Sequence, residues 1–397
     1  MILARRALRM TPDTGMTRAL MDLDALERLI GLLARCRYEV LGPTVSDGAI
    51  VYGPLEKVAD LPLGWTAEQE AGHYRLRKNG DGLLFGYGVA AQSWKRFLHP
   101  PEMRLFQIER DGRDLRFEDN GEPAPRYAFL GVRPCEIAAI KVLDRVLSED
   151  RFADPVYQSR RQSAFVAAVN CTHSAPTCFC ASLGTGPGAQ QGFDLLLTEL
   201  ASPDHHVFIA EAGTPAGAEI LRELDCPEAT EALRREADAA VARAASQRRR
   251  IDTAGIRDLL YDSFEHPRWD EVAGRCLTCA NCTMVCPTCF CTAVEDTSEV
   301  TGARAERWRK WDSCFTQSFS YIHGGSVRMS AKSRYRQWMT HKFAAWIDQF
   351  GTSGCVGCGR CITWCPAGID ITAEVCAIRE GGAPAPAAAM EAPNGDD

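Results

Sequence analysis

The chain has 397 residues, which is enough for about two to three domains. Hydrophobic residues make up 46% of the chain and charged residues 24%, and this composition excludes a protein that is disordered throughout. The net charge of −7 argues against a protein that coats nucleic acid. No apolar run reaches the roughly 18 to 20 residues that span a bilayer, so the sequence predicts no membrane partner.

The 18 cysteines are the unusual feature of the composition. A chain of this length does not need disulfide bonds to stabilise its core. Residues 1–10 carry three arginines and lack the longer apolar stretch and the cleavage site of a secretory signal. We therefore expect a cytoplasmic protein whose thiols stay reduced, and clustered thiols in that compartment are typical of metal ligands.

Residues 1–225 are predicted to form a mixed α/β domain. Leucines at helical spacing predict a helix over residues 17–37. Asn79-Gly80 and Asp111-Gly112 predict the turns of two β-hairpins, over residues 74–89 and 105–117. The other expected elements are strands at 127–132, 164–169, 193–197 and 206–210, and a helix at 134–147.

The composition changes after residue 225. A helix rich in Ala, Arg and Glu is predicted over residues 229–250, and residues 226–255 are interpreted as a helical connector. Residues 256–380 are expected to be helical and rich in loops, without alternating strands. The Pro- and Ala-rich residues 381–397 are expected to be a disordered tail.

Two segments of the second half carry the spacing C-x2-C-x2-C-x3-C, followed in each case by proline. In bacterial ferredoxins this run binds [4Fe–4S] clusters, and the fourth cysteine ligates the other cluster. The alternative is structural zinc, which usually pairs two separated knuckles of two cysteines each. The motif therefore predicts two clusters, on Cys276, Cys279, Cys282 and Cys365, and on Cys355, Cys358, Cys361 and Cys286.

An internal repeat points to a further site. Residues 171–180 match residues 282–291 at seven of ten positions. The first copy provides three cysteines, and Cys135 is the candidate fourth ligand because a thiolate near a helix N-terminus is easier to ionise. We predict a third [4Fe–4S] cluster, with zinc or unligated thiols as alternatives, on Cys135, Cys171, Cys178 and Cys180.

The second copy leaves three thiols without a fourth, namely Cys289, Cys291 and Cys314. They could form a metal site with a non-cysteine ligand, exchange with Cys282, or only pack around a cluster. The insertion between the two ferredoxin runs is also basic, with nine Lys or Arg and three Asp or Glu in residues 301–350. This basic stretch is interpreted as a docking face for an acidic partner, as compensation for anionic clusters, or as an ordinary solvated face.

Motifs for other cofactors are missing from the sequence. Residues 184–188, Gly-Thr-Gly-Pro-Gly, are predicted to form a tight turn, because they do not follow a strand and open a helix as a dinucleotide fingerprint does. The sequence contains no recognisable device for FAD or NAD and no candidate catalytic residue. An electron-carrying chain of this kind implies partner subunits at both ends of its electron path.

The motifs in combination resemble one family, the iron–sulfur β subunit of cytoplasmic group 3 [NiFe] hydrogenases, also called sulfhydrogenases or hydrogenase/sulfur reductases. An iron–sulfur subunit of anaerobic sulfite reductase is in the same family. The resemblance spans roughly residues 17–380. It rests on Gly131-Val-Arg-Pro-Cys135, the Cys171–Cys180 segment with Gly184-Thr-Gly-Pro, Cys286-Pro-Thr-Cys289-Phe-Cys291, Trp311-Asp-Ser-Cys314 and Cys355-Val-Gly-Cys358-Gly-Arg-Cys361.

The resemblance implies a cytoplasmic heteromeric complex. In such complexes a flavin subunit exchanges electrons with NAD(P)H, a catalytic subunit carries the nickel–iron or sirohaem site, and the β subunit relays electrons without being catalytic in isolation. It also implies that Cys135, Cys171, Cys178 and Cys180 occupy the family's matching cysteine positions. The expected fold is α+β, with the mixed α/β domain followed by a helical, ferredoxin-like domain that holds two [4Fe–4S] clusters and a long insertion.

The leading functional prediction is therefore an electron-transfer subunit of a soluble hydrogenase or sulfur reductase. It would lie between a flavin subunit, which oxidises NAD(P)H, and the catalytic hydrogenase or sulfur reductase subunit. The nearest alternative is the corresponding iron–sulfur subunit of an anaerobic sulfite reductase. A more distant one is a nucleic-acid enzyme with structural clusters, suggested by the basic residues 301–350. Two complete ferredoxin motifs argue against that last alternative, because a structural role needs one cluster.

Overall fold

The computed structural model describes residues 18–119, 124–149, 153–203 and 205–381. The predicted tail, residues 381–397, lies outside the described residues except for Gly381, as do the N-terminal residues 1–17. The strands in the described part are β1 Ala19–Asp22, β2 Glu39–Ser46, β3 Ala49–Pro54, β4 Trp65–Glu70, β5 His73–Lys78, β6 Glu102–Asp111, β7 Asp114–Asp119, β8 Tyr127–Val132, β9 Phe165–Val169, β10 Leu195–Ala201, β11 His206–Ala212, β12 Thr292–Ser298, β13 Arg304–Trp311, β14 Tyr321–Ile322 and β15 Gly325–Ser326.

Helices of the described residues lie in both halves of the chain. They are α1 Leu23–Arg35, α2 Lys95–Leu98, α3 Pro134–Leu147, α4 Pro155–Ser163, α5 Pro215–Leu224, α6 Glu231–Ala244, α7 Ile256–Asp262, α8 Arg268–Arg275, α9 Asn281–Met284, α10 Ala331–Thr340, α11 Trp346–Phe350, α12 Arg360–Thr363 and α13 Ile371–Gly381. A π-helical turn, His341–Ala345, joins α10 to α11. None of these helices combines the length and the apolar character needed to cross a membrane.

A seven-stranded sheet forms the centre of the N-terminal half, in the order β1-β11-β10-β9-β8-β2-β3. Its middle strands, β2, β8, β9 and β10, are parallel, whereas β1, β11 and β3 add antiparallel edges. Strands β8 and β9 are almost entirely apolar and almost entirely buried, as expected for central parallel strands covered on both faces. The predicted strand over 127–132 and helix over 134–147 are confirmed, and α3 begins at Pro134, a residue favoured in the first helical turn.

Two predictions in the N-terminal half are wrong in detail. Helix α1 begins only at Leu23, because the residues before it pair with β11 as the edge strand β1. The predicted hairpin over residues 74–89 is also wrong, since β5 pairs with the preceding strand β4 around Ala71-Gly72. Gly72 has the positive φ of +71° that this tight turn needs. The second predicted hairpin is confirmed as β6 and β7, which pair next to the turn at Asp111 and Asp114.

The second half contains strands that the sequence did not predict. Strands β12 and β13 form an antiparallel pair, and β13 pairs with β6, so that one sheet has the order β12-β13-β6-β7. These strands are partly exposed and rich in charge, so the alternation of apolar and polar residues that marks a half-buried strand is weak. Cross-strand ion pairs such as Arg307–Asp296 accompany the backbone ladder.

The fold is therefore mixed α and β, as expected. The sheet of β12, β13, β6 and β7 contains strands from both sides of the predicted connector, residues 226–255. The domain boundaries that the sequence predicts stay a prediction. A second apolar core lies in the C-terminal half, where Trp269, Tyr335, Trp338 and Phe343 are buried around several of the cysteines.

Candidate iron–sulfur sites

The first predicted ligand set lines one cavity. Cys276 follows the end of α8, and the loop after it contains Ala280 with a φ of +66°, just before α9. The backbone N–H of Thr278 donates to the Cys276 sulfur over 3.4 Å. Phe315 and Trp338 contribute apolar walls. We call this cavity site A, and its thiols are those of Cys276, Cys279, Cys282 and Cys365.

The second predicted set lines another cavity, which we call site B, with the thiols of Cys286, Cys355, Cys358 and Cys361. Gly357 and Gly359 have positive φ values of +62° and +77°. The backbone N–H of Gly357 donates to the Cys355 sulfur over 3.4 Å. A Cβ atom at Gly357 would lie 2.6 Å from backbone atoms of Cys180, so glycine is needed where this loop packs against the segment of the first repeat copy.

The third predicted set lines a further cavity, which we call site C, with the thiols of Cys135, Cys171, Cys178 and Cys180. Cys135 lies in the first turn of α3. The predicted tight turn at residues 184–188 borders this cavity through Gly186, where an added Cβ would lie 3.0 Å from the Cys180 sulfur. No helix of the described residues begins at this turn, so it lacks the geometry of a phosphate loop.

The three sites form a row. Cys361 lines both site A and site B. Cys358 of site B packs in one buried group with Cys135 and Cys180 of site C. Site B therefore adjoins both of the others, and the thiols make a continuous path from site A to site C.

The chemistry of the three sites fits iron–sulfur clusters. Each is lined by its four predicted thiols with mostly apolar neighbours, and site A is lined by Cys361 as well. Burial raises the pKa of the Cys180 and Cys355 thiols to about 12 each, which favours the protonated thiols. A bound cationic centre would stabilise the thiolates instead. No group of three or more His, Cys, Asp or Glu side chains among the described residues is arranged to hold a single metal ion. Thiolates around a cubane stand further apart than thiolates around one ion, because iron and sulfide atoms lie between them.

Two buried side chains that sequence reasoning missed donate to the cysteine sulfurs. The Lys342 ammonium, on the π-helical turn, is 3.1 Å from the Cys286 sulfur of site B. It also donates to the Thr288 hydroxyl and to the Gly354 carbonyl. Gln247 donates to the Cys180 sulfur of site C over 3.1 Å. Hydrogen bonds to cluster sulfurs raise reduction potentials, so these residues are positioned to tune sites B and C.

A buried ion pair lies between sites B and C. The Arg360 guanidinium is 2.5 Å from Glu136, and both side chains are at least 98% buried. Glu136 also accepts from the Tyr52 hydroxyl and the Trp94 indole, while Arg360 donates to the Ala90 carbonyl. Burial raises the pKa of the neighbouring Cys358 thiol, and the Arg360 charge opposes that rise.

The basic residues of the stretch 301–350 lie in more than one kind of surroundings. Lys342 is buried beside the thiols of site B, as expected for charge compensation. Arg307 pairs with Asp296 on the exposed sheet, and Lys332 pairs with Asp270 on the surface, as expected for a solvated face. The remaining interpretation, a docking face for an acidic partner, stays a prediction.

The three unassigned thiols line none of the three cavities. Cys289 contacts Cys286 and donates a hydrogen bond that lowers the pKa of the Cys286 thiol well below its ordinary value. Cys291 and Cys314 face each other as a second thiol pair. The three thiols therefore fall into two groups. Cys289 lies beside Cys286 of site B, whereas Cys291 and Cys314 form a separate pair.

Two comparisons with known proteins bear on the family of the chain. Residues 275–369 match the 4Fe–4S dicluster domain family, a range that contains all cysteines of sites A and B. The chain is 33% identical over 307 residues to a protein of Pyrococcus furiosus, sulfhydrogenase 2 subunit beta, and the match covers 76% of this chain and 87% of the relative. No solved structure matches the chain. The chain therefore belongs to the family of iron–sulfur β subunits of sulfhydrogenases.

Proposed function

We propose that the chain relays single electrons through three [4Fe–4S] clusters, between a flavin subunit that oxidises NAD(P)H and a catalytic hydrogenase or sulfur reductase subunit. The observation that carries the proposal is the row of three adjoining, thiol-lined cavities. The named relative is itself a subunit of a sulfhydrogenase, which favours this assignment over the corresponding subunit of an anaerobic sulfite reductase. We propose the cytoplasm as its location, and neither nucleic acid nor a membrane as a partner.

Different residues of the chain would have different roles in the relay. The thiolates of sites A, B and C would bind the clusters, which when bound accept and release one electron each. Phe315 and Trp338 keep water from site A, while the loop at Gly357 packs site B against site C. Lys342 places a positive charge at site B. We propose that substrate chemistry takes place on the partner subunits.

Replacing Cys178 by serine tests the third site and the relay together. Serine keeps the size of the side chain but is a poor ligand for iron, so iron per chain is expected to fall from about twelve atoms to about eight. In the assembled complex, dye-linked activity is expected to persist at the flavin and catalytic subunits. The reaction that couples NAD(P)H to the catalytic subunit is expected to fall by more than tenfold.

The matched control is Cys226→Ser, a half-buried thiol that lines none of the three cavities. It is expected to keep the full iron content and the full coupled activity. Unchanged iron in Cys178→Ser would remove the third cluster from the proposal. Unchanged coupled activity with reduced iron would remove site C from the electron path.

A further inference from the structure

Cys291 and Cys314 are held close together by the backbone of the insertion. Cys291 immediately precedes β12, and Cys314 lies three residues after the end of β13. The two strands pair through Thr292 and Trp311. The backbone N–H of Asp312 then donates to the Cys291 carbonyl over 2.9 Å, which extends the ladder past the strand ends. The sheet therefore holds the segments that carry Cys291 and Cys314 close to each other.

The two thiols interact directly with each other. The Cys291 and Cys314 thiols are coupled to each other electrostatically. Both residues are partly buried, and neither lines site A, B or C. The other contacting pair, Cys286 and Cys289, differs because Cys286 belongs to site B. The Cys291 and Cys314 pair therefore has both of its sulfurs outside the three cluster sites.

The electrostatic surroundings of the pair are positive. Two buried ammonium groups, Lys95 and Lys342, act on the Cys291 thiol. Lys95 is fixed in place by a 2.8 Å hydrogen bond to the Cys289 carbonyl and by the Trp311 ring, whose centre is 3.8 Å away. Positive charge beside a thiol favours the thiolate, which is the nucleophile in thiol–disulfide exchange.

We propose that Cys291 and Cys314 are a redox-active dithiol, which closes into an intrachain disulfide when it reacts with a low-molecular-weight disulfide. In the first step the Cys291 thiolate attacks one sulfur of the small disulfide, forms a mixed disulfide and releases one thiolate. The Cys314 thiol then loses its proton and attacks the Cys291 sulfur, which releases the second small thiolate. The protein loses two protons and two electrons, and the small disulfide takes up both and becomes two thiols.

The position of the pair gives this reaction a consequence for the chain. Cys314 lies near Cys282 of site A, and Cys291 is joined to Cys286 of site B by four intervening residues. Closure would therefore change charge and hydrogen bonding between two adjoining sites. The dithiol makes this part of the molecule responsive to the balance of thiols and disulfides around it.

Disulfide mapping of the full, cluster-loaded chain tests the proposal. The protein is incubated without oxygen in reduced or oxidised glutathione, denatured in excess maleimide and a metal chelator, and digested with chymotrypsin and trypsin. Chymotrypsin cleaves after Phe290 and after Trp311 and Phe315, so that Cys291 is separated from Cys289 and Cys314 is isolated. Two peptides joined by a disulfide between Cys291 and Cys314 are expected in the oxidised sample. In the reduced sample both cysteines are expected to carry maleimide instead. Maleimide on both cysteines in the oxidised sample, or glutathione left on either, would overturn the proposal.

Variants separate the dithiol from a metal site. Cys291→Ser and Cys314→Ser are expected to lose the linked peptide and to keep the iron content of the control Cys36→Ser, which replaces an exposed thiol. A fall in bound iron or zinc in either variant, relative to that control, would identify these cysteines as metal ligands and contradict the proposal. Because the wild-type mapping does not depend on the variants, the proposal is tested even if one of them fails to fold.

Discussion

Glu136→Gln is expected to destabilise the loaded chain by about 3–5 kcal/mol, because a buried ion pair that loses one partner leaves the other charge uncompensated. Glutamine keeps the size of Glu136 but removes the charge that faces Arg360, whose side chain is fully buried. The midpoint of thermal unfolding is expected to fall by about 4–6 °C in a chain of this size. Anaerobic circular dichroism of the loaded protein measures the change.

The matched control is Glu68→Gln. Glu68 pairs with Arg77, but both side chains are about half exposed, and solvent-exposed pairs contribute about 0–1 kcal/mol. This variant is expected to unfold within about 2 °C of the wild type. Equal unfolding midpoints for Glu136→Gln and Glu68→Gln would contradict the buried pair between sites B and C.

Lys342→Met is expected to lower the reduction potential of the cluster at site B. The reduced cluster carries one more negative charge, so the nearby ammonium favours the reduced state and its removal makes reduction harder. Unit charges about 4 Å apart interact by about 4 kcal/mol at an effective dielectric of 20, which corresponds to a shift on the order of 100 mV for one electron. Methionine preserves most of the volume of the buried side chain.

An anaerobic redox titration followed by EPR measures this effect on the full chain. One titrating component is expected to shift while the others keep their potentials and the iron content stays constant. The control is Lys332→Met, since Lys332 lies on α10 near the surface and pairs with Asp270. A potential that does not move in Lys342→Met, or moves equally in Lys332→Met, would show that the Lys342 charge does not act on site B.

The sequence predicted those parts of the fold that local patterns determine. Continuous apolar runs identified β8 and β9, and Pro134 marked the beginning of α3. Cysteine spacing grouped the thiols of sites A and B because the ferredoxin run specifies which cysteine crosses to the other cluster. The internal repeat led to the thiols that line site C.

Other features depend on contacts between distant parts of the chain. Strand β13 is charged and half-buried, and its partner β6 lies almost two hundred residues earlier, so no local period marked it. Lys342 and Gln247 have no motif of their own, and only the fold brings them to the sulfurs of sites B and C. Arg360 lies inside the ferredoxin run, but its pairing with Glu136 could not be derived from spacing.

Iron and acid-labile sulfide per chain, measured without oxygen and combined with EPR of the dithionite-reduced protein, test the central claim most directly. Three [4Fe–4S] clusters predict about twelve iron atoms and about twelve sulfides per chain, with reduced cluster signals that interact magnetically because the sites adjoin. About eight iron atoms would restrict the relay to sites A and B. Little iron, with zinc in its place, would contradict the relay itself.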